Sequence, residues 1–300
     1  KDMADIEFGA DKDIDFVALS FIQSADDVNN LRQILVSQGS TAQIIAKIET
    51  KAAIEPETLK EIVKAADGVM AARGDMAVET SAEIVPIVER EIIRLCRKYG
   101  KLSIVATQMM ASMVDSPEPT RAEVSDVATA AILGTDVVML SDETANGNYP
   151  VETVKMMANT VRYTQSRWPM NDMPIEEGEA NRRRNAIAHA AVEVAERVDA
   201  DFIIAETKSG ATAARIAALR PELPIIAVTP SPRVAQQLAL SYATRSYVRD
   251  DEEHAGVNVA KELLTTGKYS NNGRLVVVVV SGRQPGATGG TDTLRVRVIE

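Results

Sequence analysis

Short apolar runs alternate with amphipathic segments along the first half of the chain. The apolar runs predict five buried strands, at residues 16–21, 43–49, 69–72, 103–107 and 136–140. Apolar residues at helical spacing predict helices at residues 3–11, 25–38, 56–66, 82–99, 121–133 and 151–164. Continuous apolar strands joined by helical crossovers are typical of a parallel sheet that is covered on both faces. The pattern therefore predicts five consecutive β/α units.

A second α/β pattern begins near Arg182, after a stretch with two prolines and three glutamates between residues 168 and 179. It predicts helices at residues 186–198, 211–220, 233–240 and 254–264, and strands at 202–205, 225–228, 244–248, 275–280 and 293–299. Polar stretches that contain proline are typical of domain linkers. We therefore expect a first domain at residues 1–166, a linker at 167–181, and a smaller α/β domain with a mostly parallel sheet at 182–300.

Polar side chains follow the apolar run at the end of each strand predicted in the first domain. They are Ser20, Lys47 and Glu49, Arg73 to Asp75, Thr107 and Gln108, and Ser141 and Glu143. The carboxyl ends of parallel strands meet at one edge of a sheet or one mouth of a barrel, where α/β proteins carry their chemistry. We therefore expect these side chains to form one site.

Lys47, Glu49 and Asp75 are the most informative of these side chains. Residues i and i+2 of a strand share a face, so the Lys47 ammonium and the Glu49 carboxylate project the same way. Asp75 follows the next strand, after an expected tight turn at Arg73 and Gly74. Two carboxylates and one ammonium suit a hard divalent cation together with an anionic substrate. The alternative is a solvated ion pair at Lys47 and Glu49 and a helix cap at Asp75.

Two loops of the second domain carry hydroxyl groups, glycines and a cation. Residues 207–212 form a strand-to-helix turn with Lys208, where backbone donors and the helix dipole favour an anion such as phosphate. The alternative is an ordinary Ser/Thr helix cap. Residues 281–290 are rich in glycine and contain Arg283. They predict either a mobile lid over the same anion or an ordinary hairpin connection.

The composition and charge of the chain argue against several classes of binding partner and site. The net charge of −10 argues against a nucleic-acid or acidic-membrane partner, because both require a basic face. No apolar run reaches membrane-spanning length. The chain starts at Lys1 without a signal-peptide pattern, so we expect a cytoplasmic protein. The single cysteine, Cys96, excludes an intramolecular disulfide and a thiolate metal cage.

Five short motifs together resemble the pyruvate kinase family. They are Lys47-Ile48-Glu49, Ala72-Arg73-Gly74-Asp75, Ala106-Thr107-Gln108-Met109, Pro119-Thr120-Arg121-Ala122-Glu123 and Met139-Leu140-Ser141-Asp142-Glu143-Thr144-Ala145. Their order and spacing match that family across essentially the whole chain. The resemblance implies a partial TIM (β/α)8 barrel, from its fourth to its eighth strand, followed by a regulatory α/β domain. It also implies that the first three strands and an inserted lid domain are absent from these residues.

The resemblance further implies a reaction, phosphoryl transfer from phosphoenolpyruvate to ADP, which gives pyruvate and ATP in glycolysis. It implies that Lys47 stabilises the phosphoryl group during its transfer, and that the carboxylates of Glu49 and Asp75 bind Mg²⁺ or Mn²⁺. It assigns the amides of Gly74 and Asp75, with the Thr107 hydroxyl, to the substrate carboxylate. Two serines complete the set that the resemblance implies: Ser141 matches a position linked to protonation of the enolate, and Ser20 neighbours the lysine.

The resemblance also places an allosteric sugar-phosphate pocket in the second domain. The residues that match it are Thr207, Lys208, Ser209, Gly210, Thr212, Arg283 and Gly286. The effector varies within the family, so its identity does not carry over. The family implies K⁺ as well, whose ligands lie on the strands that this chain does not include. It forms homotetramers, so we expect a homo-oligomer.

Two positions depart from the family pattern. Met76-Ala77 replaces Leu-Gly after the metal aspartate, and Asp142 stands where glycine is common. Alanine does not freely adopt the positive φ that is open to glycine, so we expect local differences there. Two other functions remain open: a metal-dependent pyruvate or enolate barrel of the aldolase or lyase type, and a non-catalytic remnant that binds a sugar phosphate.

Overall fold

The computed structural model describes residues 2–10, 12, 14–168, 182–269, 273–282 and 291–300. These residues form two compact units, Lys1–Asn171 and Asp172–Glu300. Each unit is built around one five-stranded sheet and is described by itself. Within the predicted linker, residues 169–181 lie outside the described part.

The first unit alternates strands and helices along the chain. Its strands are β1 (Phe16–Leu19), β2 (Gln43–Ile48), β3 (Gly68–Ala72), β4 (Leu102–Ala106) and β5 (Val137–Met139). Its helices are α1 (Asp2–Ala10), α2 (Ala25–Ser37), α3 (Pro56–Ala65), α4 (Arg73–Glu79), α5 (Val85–Tyr99), α6 (Arg121–Leu133), α7 (Asp142–Ala145) and α8 (Pro150–Arg167), with a 3₁₀ turn at Ala111–Val114. The strands are parallel and pair in chain order. This arrangement confirms the five predicted β/α units.

The sheet of the first unit is buried because its central strands are apolar along their length. Ile44, Ala46 and Ile48 of β2 pack in one core with Val69 and Ala71 of β3. The helices contribute apolar side chains at helical spacing to the same core: Val28, Leu31 and Leu35 from α2, Leu59, Ile62 and Val63 from α3, and Val88, Ile92 and Leu95 from α5. Burial of each such side chain contributes about 1.5–3 kcal/mol. This packing fixes the strand ends that carry the polar residues.

Two boundaries near β3 differ from the prediction. The helix predicted at 82–99 begins at Val85, because Pro86 has no N–H and fits only the first turn of a helix. The tight turn expected at Arg73 and Gly74 is instead the first turn of α4. The Arg73 side chain donates to the carbonyl groups of Ala106 and Thr107, and these bonds hold the start of α4 against the end of β4.

Both outer strands of the first sheet are open edges. Among the described residues, β1 pairs only with β2 and β5 pairs only with β4. The sheet is therefore an open set of five parallel strands, as expected for part of a barrel. Unpaired backbone groups on an edge strand are a template for pairing with another strand.

The second unit is a mixed α/β structure. Its strands are β6 (Phe202–Glu206), β7 (Ile225–Thr229), β8 (Thr244–Val248), β9 (Leu275–Gly282) and β10 (Thr291–Ile299). Its helices are α9 (Arg182–Arg197), α10 (Ala211–Ala218), α11 (Pro232–Gln237) and α12 (Ala255–Thr265), with a 3₁₀ turn at Leu238–Leu240. The strand order is β10-β9-β6-β7-β8, and only β10 is antiparallel to its neighbour. This confirms a mostly parallel sheet.

The second sheet separates two apolar cores. One contains Ile203 and Ala205 of β6 with alanines of α9 and α10. The other contains Phe202 and Ile204 of the same strand with Val259 of α12. Because successive side chains of a strand point to opposite faces, β6 must be apolar at every position to serve both cores. Within the described ranges, no helix is both long enough and apolar enough to cross a membrane.

The open edges of the first sheet predict that residues 1–300, purified alone, associate. Sedimentation velocity should show a mean mass that rises with protein concentration. Lysine on an edge strand disfavours pairing with another strand. Ala18→Lys, at the exposed position of β1, should therefore reduce the association. The control Val36→Lys places the same residue at an exposed position of α2 and should leave association unchanged. Equal association of the Ala18→Lys variant and the unaltered chain would contradict this role for the edge.

Candidate active site and anion pocket

A buried carboxylate lies at the carboxyl end of β2. Glu49 directly follows this strand and is fully buried, and its Oε1 accepts a hydrogen bond of 2.6 Å from the Phe21 backbone N–H. Its Oε2 lies 3.2 Å from Lys47 Nζ. Lys47 Nζ also donates to Ser20 Oγ at 3.1 Å. The structure therefore brings Ser20, Lys47 and Glu49 into direct contact, as expected for residues at neighbouring strand ends.

The Glu49 carboxylate has an unfilled acceptor. Although the Lys47 ammonium is close, no group in the described part of the chain donates a hydrogen bond to Glu49 Oε2. A buried carboxylate oxygen without a donor is costly unless a further cation or donor satisfies it. Mg²⁺ and Mn²⁺ prefer oxygen ligands of this kind. The residues present therefore fit a divalent cation at Glu49.

Asp75 lies on the neighbouring strand end, in the first turn of α4. The register pairs Ile48 of β2 with Ala71 of β3, so Glu49 is level with Ala72, three residues before Asp75. The Asp75 side chain is exposed and makes no hydrogen bond or ion pair with another residue in the described ranges. These ranges contain no group of three or more His, Cys, Asp or Glu side chains arranged for a metal. The protein thus offers two carboxylates, and other ligands of a cation would be water or substrate oxygens.

Arg73 organises the ends of β3 and β4. Its guanidinium donates to the carbonyl oxygens of Ala106 at 3.2 Å and Thr107 at 2.6 Å. The guanidinium Nη2 also lies 2.9 Å from the Met109 sulfur. It also forms ion pairs with Glu89 of α5 at 3.1 Å and Asp126 of α6 at 2.7 Å. The Arg73 side chain is only 11% exposed. One buried guanidinium therefore joins two strand ends to two helices.

Sequence reasoning missed this role for Arg73 and placed the residue in a tight turn. The signal that could have revealed it is Glu89, which lies on the apolar face of α5 with Val85 and Ile92. A charged residue on a buried face requires a partner of opposite charge. Burial raises the pKa of the Glu89 carboxyl, and the Arg73 guanidinium opposes this rise without cancelling it.

Thr107 has a left-handed backbone that Arg73 and Gly74 hold in place. Thr107 has φ of 71° and Gln108 has φ of 54°, a region that residues with a Cβ rarely adopt. The Thr107 carbonyl accepts from Arg73, and its Oγ1 accepts from the Gly74 backbone N–H at 2.9 Å. Because the hydroxyl accepts this bond, its own proton remains available for a further acceptor. Gly74 and Thr107 are thus brought together.

Ser141 follows β5 and is held through its backbone. Its N–H donates to Glu143 Oε2 at 2.8 Å, and Glu143 Oε1 accepts from the Met110 N–H at 3.1 Å. The buried Glu143 carboxylate therefore ties the end of β5 to the segment after β4. No hydrogen bond or ion pair of the described structure joins Ser141 to Lys47 or Glu49.

The second unit has a cavity of about 320 Å³ at the carboxyl ends of its parallel strands. Four of the predicted effector residues line it: Thr207, Lys208, Ser209 and Thr212. Gly210 adopts φ of 80° as the N-cap of α10, a conformation that favours glycine. Two further predicted residues, Arg283 and Gly286, lie outside the described residues.

The hydroxyl groups of the cavity differ in their contacts. The Thr212 hydroxyl is hydrogen-bonded to the Thr291 hydroxyl at 2.6 Å. Thr207 is 8% exposed, and its hydroxyl has no hydrogen-bond partner among the described residues. Lys208 Nζ lies 2.6 Å from Asp251 Oδ2. Among the described residues, the cavity therefore presents the Thr207 hydroxyl without a hydrogen-bond partner and an ammonium that already has a carboxylate partner.

Comparison with known proteins agrees with this architecture. The family model described as "Pyruvate kinase, barrel domain" matches residues 1–154, and "Pyruvate kinase, alpha/beta domain" matches residues 185–297. The chain belongs to the pyruvate kinase family. The resemblance stated from the five motifs is thereby confirmed, and these matches do not favour an aldolase or lyase barrel.

Curated relatives carry the pyruvate kinase name over nearly the whole chain. Pyruvate kinase 2 of Synechocystis sp. is 40% identical over 308 residues, covering 100% of this chain and 50% of the relative. Pyruvate kinase of Corynebacterium efficiens is 38% identical over 302 residues, covering 100% of this chain and 62% of the relative. Pyruvate kinase of Agrobacterium vitis is 42% identical over 303 residues, covering 99% and 61%. The chain thus spans between 50% and 62% of the length of these relatives.

The two departures from the pyruvate kinase pattern are compatible with the local backbone. Ala77 lies inside α4 and is not among the described residues with positive φ, so alanine is accommodated without the strain that was expected. Asp142 begins α7, where a helical residue with a carboxylate in the first turn is favourable. Neither substitution disturbs the strand ends.

The positions of Glu49 and Asp75 at neighbouring strand ends predict a shared divalent-cation site. Glu49→Gln with Asp75→Asn should abolish the relaxation enhancement of water protons by Mn²⁺ bound to the protein, because amides are far weaker ligands than carboxylates. Glu143→Gln would disturb the backbone, so the matched control is Asp142→Asn, an exposed carboxylate after β5 that should leave the enhancement unchanged. An undiminished enhancement in the double variant would place the cation elsewhere.

Proposed function

We propose that the complete protein transfers the phosphoryl group of phosphoenolpyruvate to ADP and releases pyruvate and ATP. The observation that carries this proposal is the buried Glu49 carboxylate, with one oxygen lacking a donor, beside the Lys47 ammonium at the carboxyl end of a parallel strand. Phosphoryl transfer needs little covalent chemistry from the protein, and depends on positioning and on stabilisation of charge. Lys47 and Glu49 supply both.

We propose that the Lys47 ammonium stabilises the phosphoryl group during its transfer. This ammonium contacts Ser20 and Glu49, and the Lys47 side chain is 23% exposed, so a ligand can reach it. Glu49 and Asp75 would hold Mg²⁺ or Mn²⁺, which supplies further neutralisation of the phosphoryl oxygens when bound. Family membership supports K⁺ as a second ion, but the proposed ligands of that ion are not residues of this chain.

Thr107 and the start of α4 are proposed to bind the substrate carboxylate. The Thr107 hydroxyl accepts from the Gly74 N–H, and its own proton therefore remains available to a substrate oxygen. The Asp75 backbone N–H lies in the first turn of α4, where N–H groups lack intrahelical partners. Ser141 is proposed to serve in protonation of the enolate, with its position fixed by the bond from its N–H to Glu143.

The chain by itself offers only part of this proposed site. The first sheet is open at β1 and β5, and the chain spans between 50% and 62% of the relatives named above. Phosphate, nucleotide and K⁺ contacts would have to come from the remainder of the barrel. We therefore propose that residues 1–300 alone do not turn over substrate. A cytoplasmic location, a homo-oligomer and the absence of a nucleic-acid partner are part of the same proposal.

Substitution of Lys47 tests the catalytic proposal. In the complete protein, Lys47→Met should lower kcat by a factor of ~10³ or more, because it removes a charged donor from a phosphoryl-transfer centre. A coupled assay of pyruvate formation from phosphoenolpyruvate, ADP, Mg²⁺ and K⁺ measures this loss. Lys51→Met removes an exposed ammonium from the loop after Glu49 and should retain activity. Retained activity in Lys47→Met, or robust activity of residues 1–300 alone, would overturn the corresponding part of the proposal.

We also propose that the cavity of the second unit binds a phosphorylated sugar that regulates the enzyme. The cavity combines the ammonium of Lys208, the hydroxyl of Thr207 and the backbone at the start of α10. Backbone N–H groups at a helix N-terminus and a nearby cation are suited to phosphate.

Charge reversal at Lys208 tests the regulatory pocket. Lys208→Glu should weaken the binding of glucose 6-phosphate by at least about tenfold, because it replaces a cation near the ligand with an anion. Titration calorimetry on residues 1–300 measures the dissociation constant. Lys261→Glu makes the same charge change at an exposed position of α12 that does not line the cavity. Equal binding by the Lys208 variant would leave residues 207–212 as an ordinary helix cap.

A further inference from the structure

The cavity of the second unit contains nearly as many anions as cations. Among the described residues that line it, the cationic side chains are Arg184, Lys208, Arg215, Arg249, Arg295 and Arg297. The carboxylates are Glu206, Asp250, Asp251, Glu252 and Glu253. A site for a phosphorylated ligand does not need these carboxylates, and like charges beside a bound phosphate disfavour it. Their contacts therefore bear on how the pocket is controlled.

One of these carboxylates is paired with the proposed phosphate-binding lysine. Asp251 Oδ2 lies 2.6 Å from Lys208 Nζ, the distance of a charge-assisted hydrogen bond. The carboxylate therefore occupies one of the three donors of the ammonium and offsets the positive charge that would attract a phosphate ligand. The two side chains are 24% and 38% exposed, so water can replace each partner when the pair separates.

A second contact links the end of β6 with the start of α12, the elements that flank these two loops, and its donor is a backbone N–H. Glu206 Oε1 accepts a hydrogen bond of 2.8 Å from the Gly256 N–H in the first turn of α12. A Cβ at residue 256 would lie 2.7 Å from Glu206 Oε1 and 2.7 Å from Ile204 Cγ2, so this approach requires glycine. The closely packed Glu206 contact anchors the base of the loop after β8. Asp251 can leave Lys208 without the two loops separating.

We propose that Asp251 is an internal competitor of the ligand, which holds Lys208 until a phosphate displaces it. The inference rests on the proposed binding of a phosphorylated sugar in this cavity and specifies how that binding is controlled. The empty pocket keeps its ammonium neutralised, and ligand binding exchanges one ion pair for another. The affinity for phosphate is therefore set by the difference between the two pairs.

Removal of the Asp251 charge should strengthen binding. In titrations of residues 1–300 with glucose 6-phosphate and with inorganic phosphate, Asp251→Asn should lower the dissociation constant about two- to fivefold, the range expected for a partly exposed ion pair. The matched control is Asp250→Asn, which removes the same charge from the adjacent residue of the same cavity. Circular dichroism and the melting temperature verify that each variant is folded.

A double variant separates the pair from a general change in charge. If Asp251 acts through Lys208, then Asp251→Asn should give no gain of affinity in a Lys208→Met background. Tighter binding by Asp251→Asn alone, unchanged by Asp250→Asn and lost in the double variant, supports the proposal. Equal gains from Asp250→Asn and Asp251→Asn, or no gain from Asp251→Asn while the unaltered chain binds, overturn the competition. Absence of binding by every protein overturns the pocket as an anion site, and the role of Asp251 with it.

Discussion

The Arg73 guanidinium is the interaction on which the geometry of the first site depends. It lies between the carboxylates of Glu89 and Asp126 and donates to the carbonyl of Thr107, whose backbone is left-handed. The Arg73–Glu89 pair is buried, with side chains 11% and 6% exposed, and breaking a buried pair by removal of one partner costs about 3–5 kcal/mol. A cost of this size is large enough to keep the Thr107 backbone in its left-handed conformation. Carboxylates of α5 and α6 thus help to hold the Thr107 backbone through Arg73, while the Gly74 N–H binds the Thr107 hydroxyl.

Much of the fold could be predicted because its signals are local. The apolar runs and helical spacing predict each strand of both sheets, and the polar residues after the strands of the first sheet predict where Lys47 and Glu49 meet. The remaining features depend on residues far apart in the chain. Asp126 reaches Arg73 across 53 positions, and no local pattern indicates a left-handed conformation at Thr107. The ion pair between Lys208 and Asp251 likewise could not be predicted from local sequence, because the two residues lie on separate loops.

The two candidate sites present opposite situations to a ligand. At Glu49, a fully buried carboxylate oxygen has the Lys47 ammonium at 3.2 Å but no hydrogen-bond donor among the described residues, so a divalent cation would add a ligand contact without removing a hydrogen bond. At Lys208, the ammonium already has a carboxylate partner, so an anion must replace an interaction that exists. The first arrangement favours tight retention of a small ion, and the second favours a response to ligand concentration. This difference is consistent with a catalytic site and a regulatory site on one chain.

The order of strands in the two sheets has a consequence for the synthesis of the chain. In the first sheet each strand pairs with the strand that precedes it, so pairing can advance as residues emerge. In the second sheet β6 lies between β7 and β9, and Phe202 is opposite Val277. The apolar β6 therefore has one side uncovered until β9 (Leu275–Gly282), much later in the chain, has been made. Non-local pairing of this kind slows folding, and the second unit is where a nascent chain would depend most on protection from aggregation.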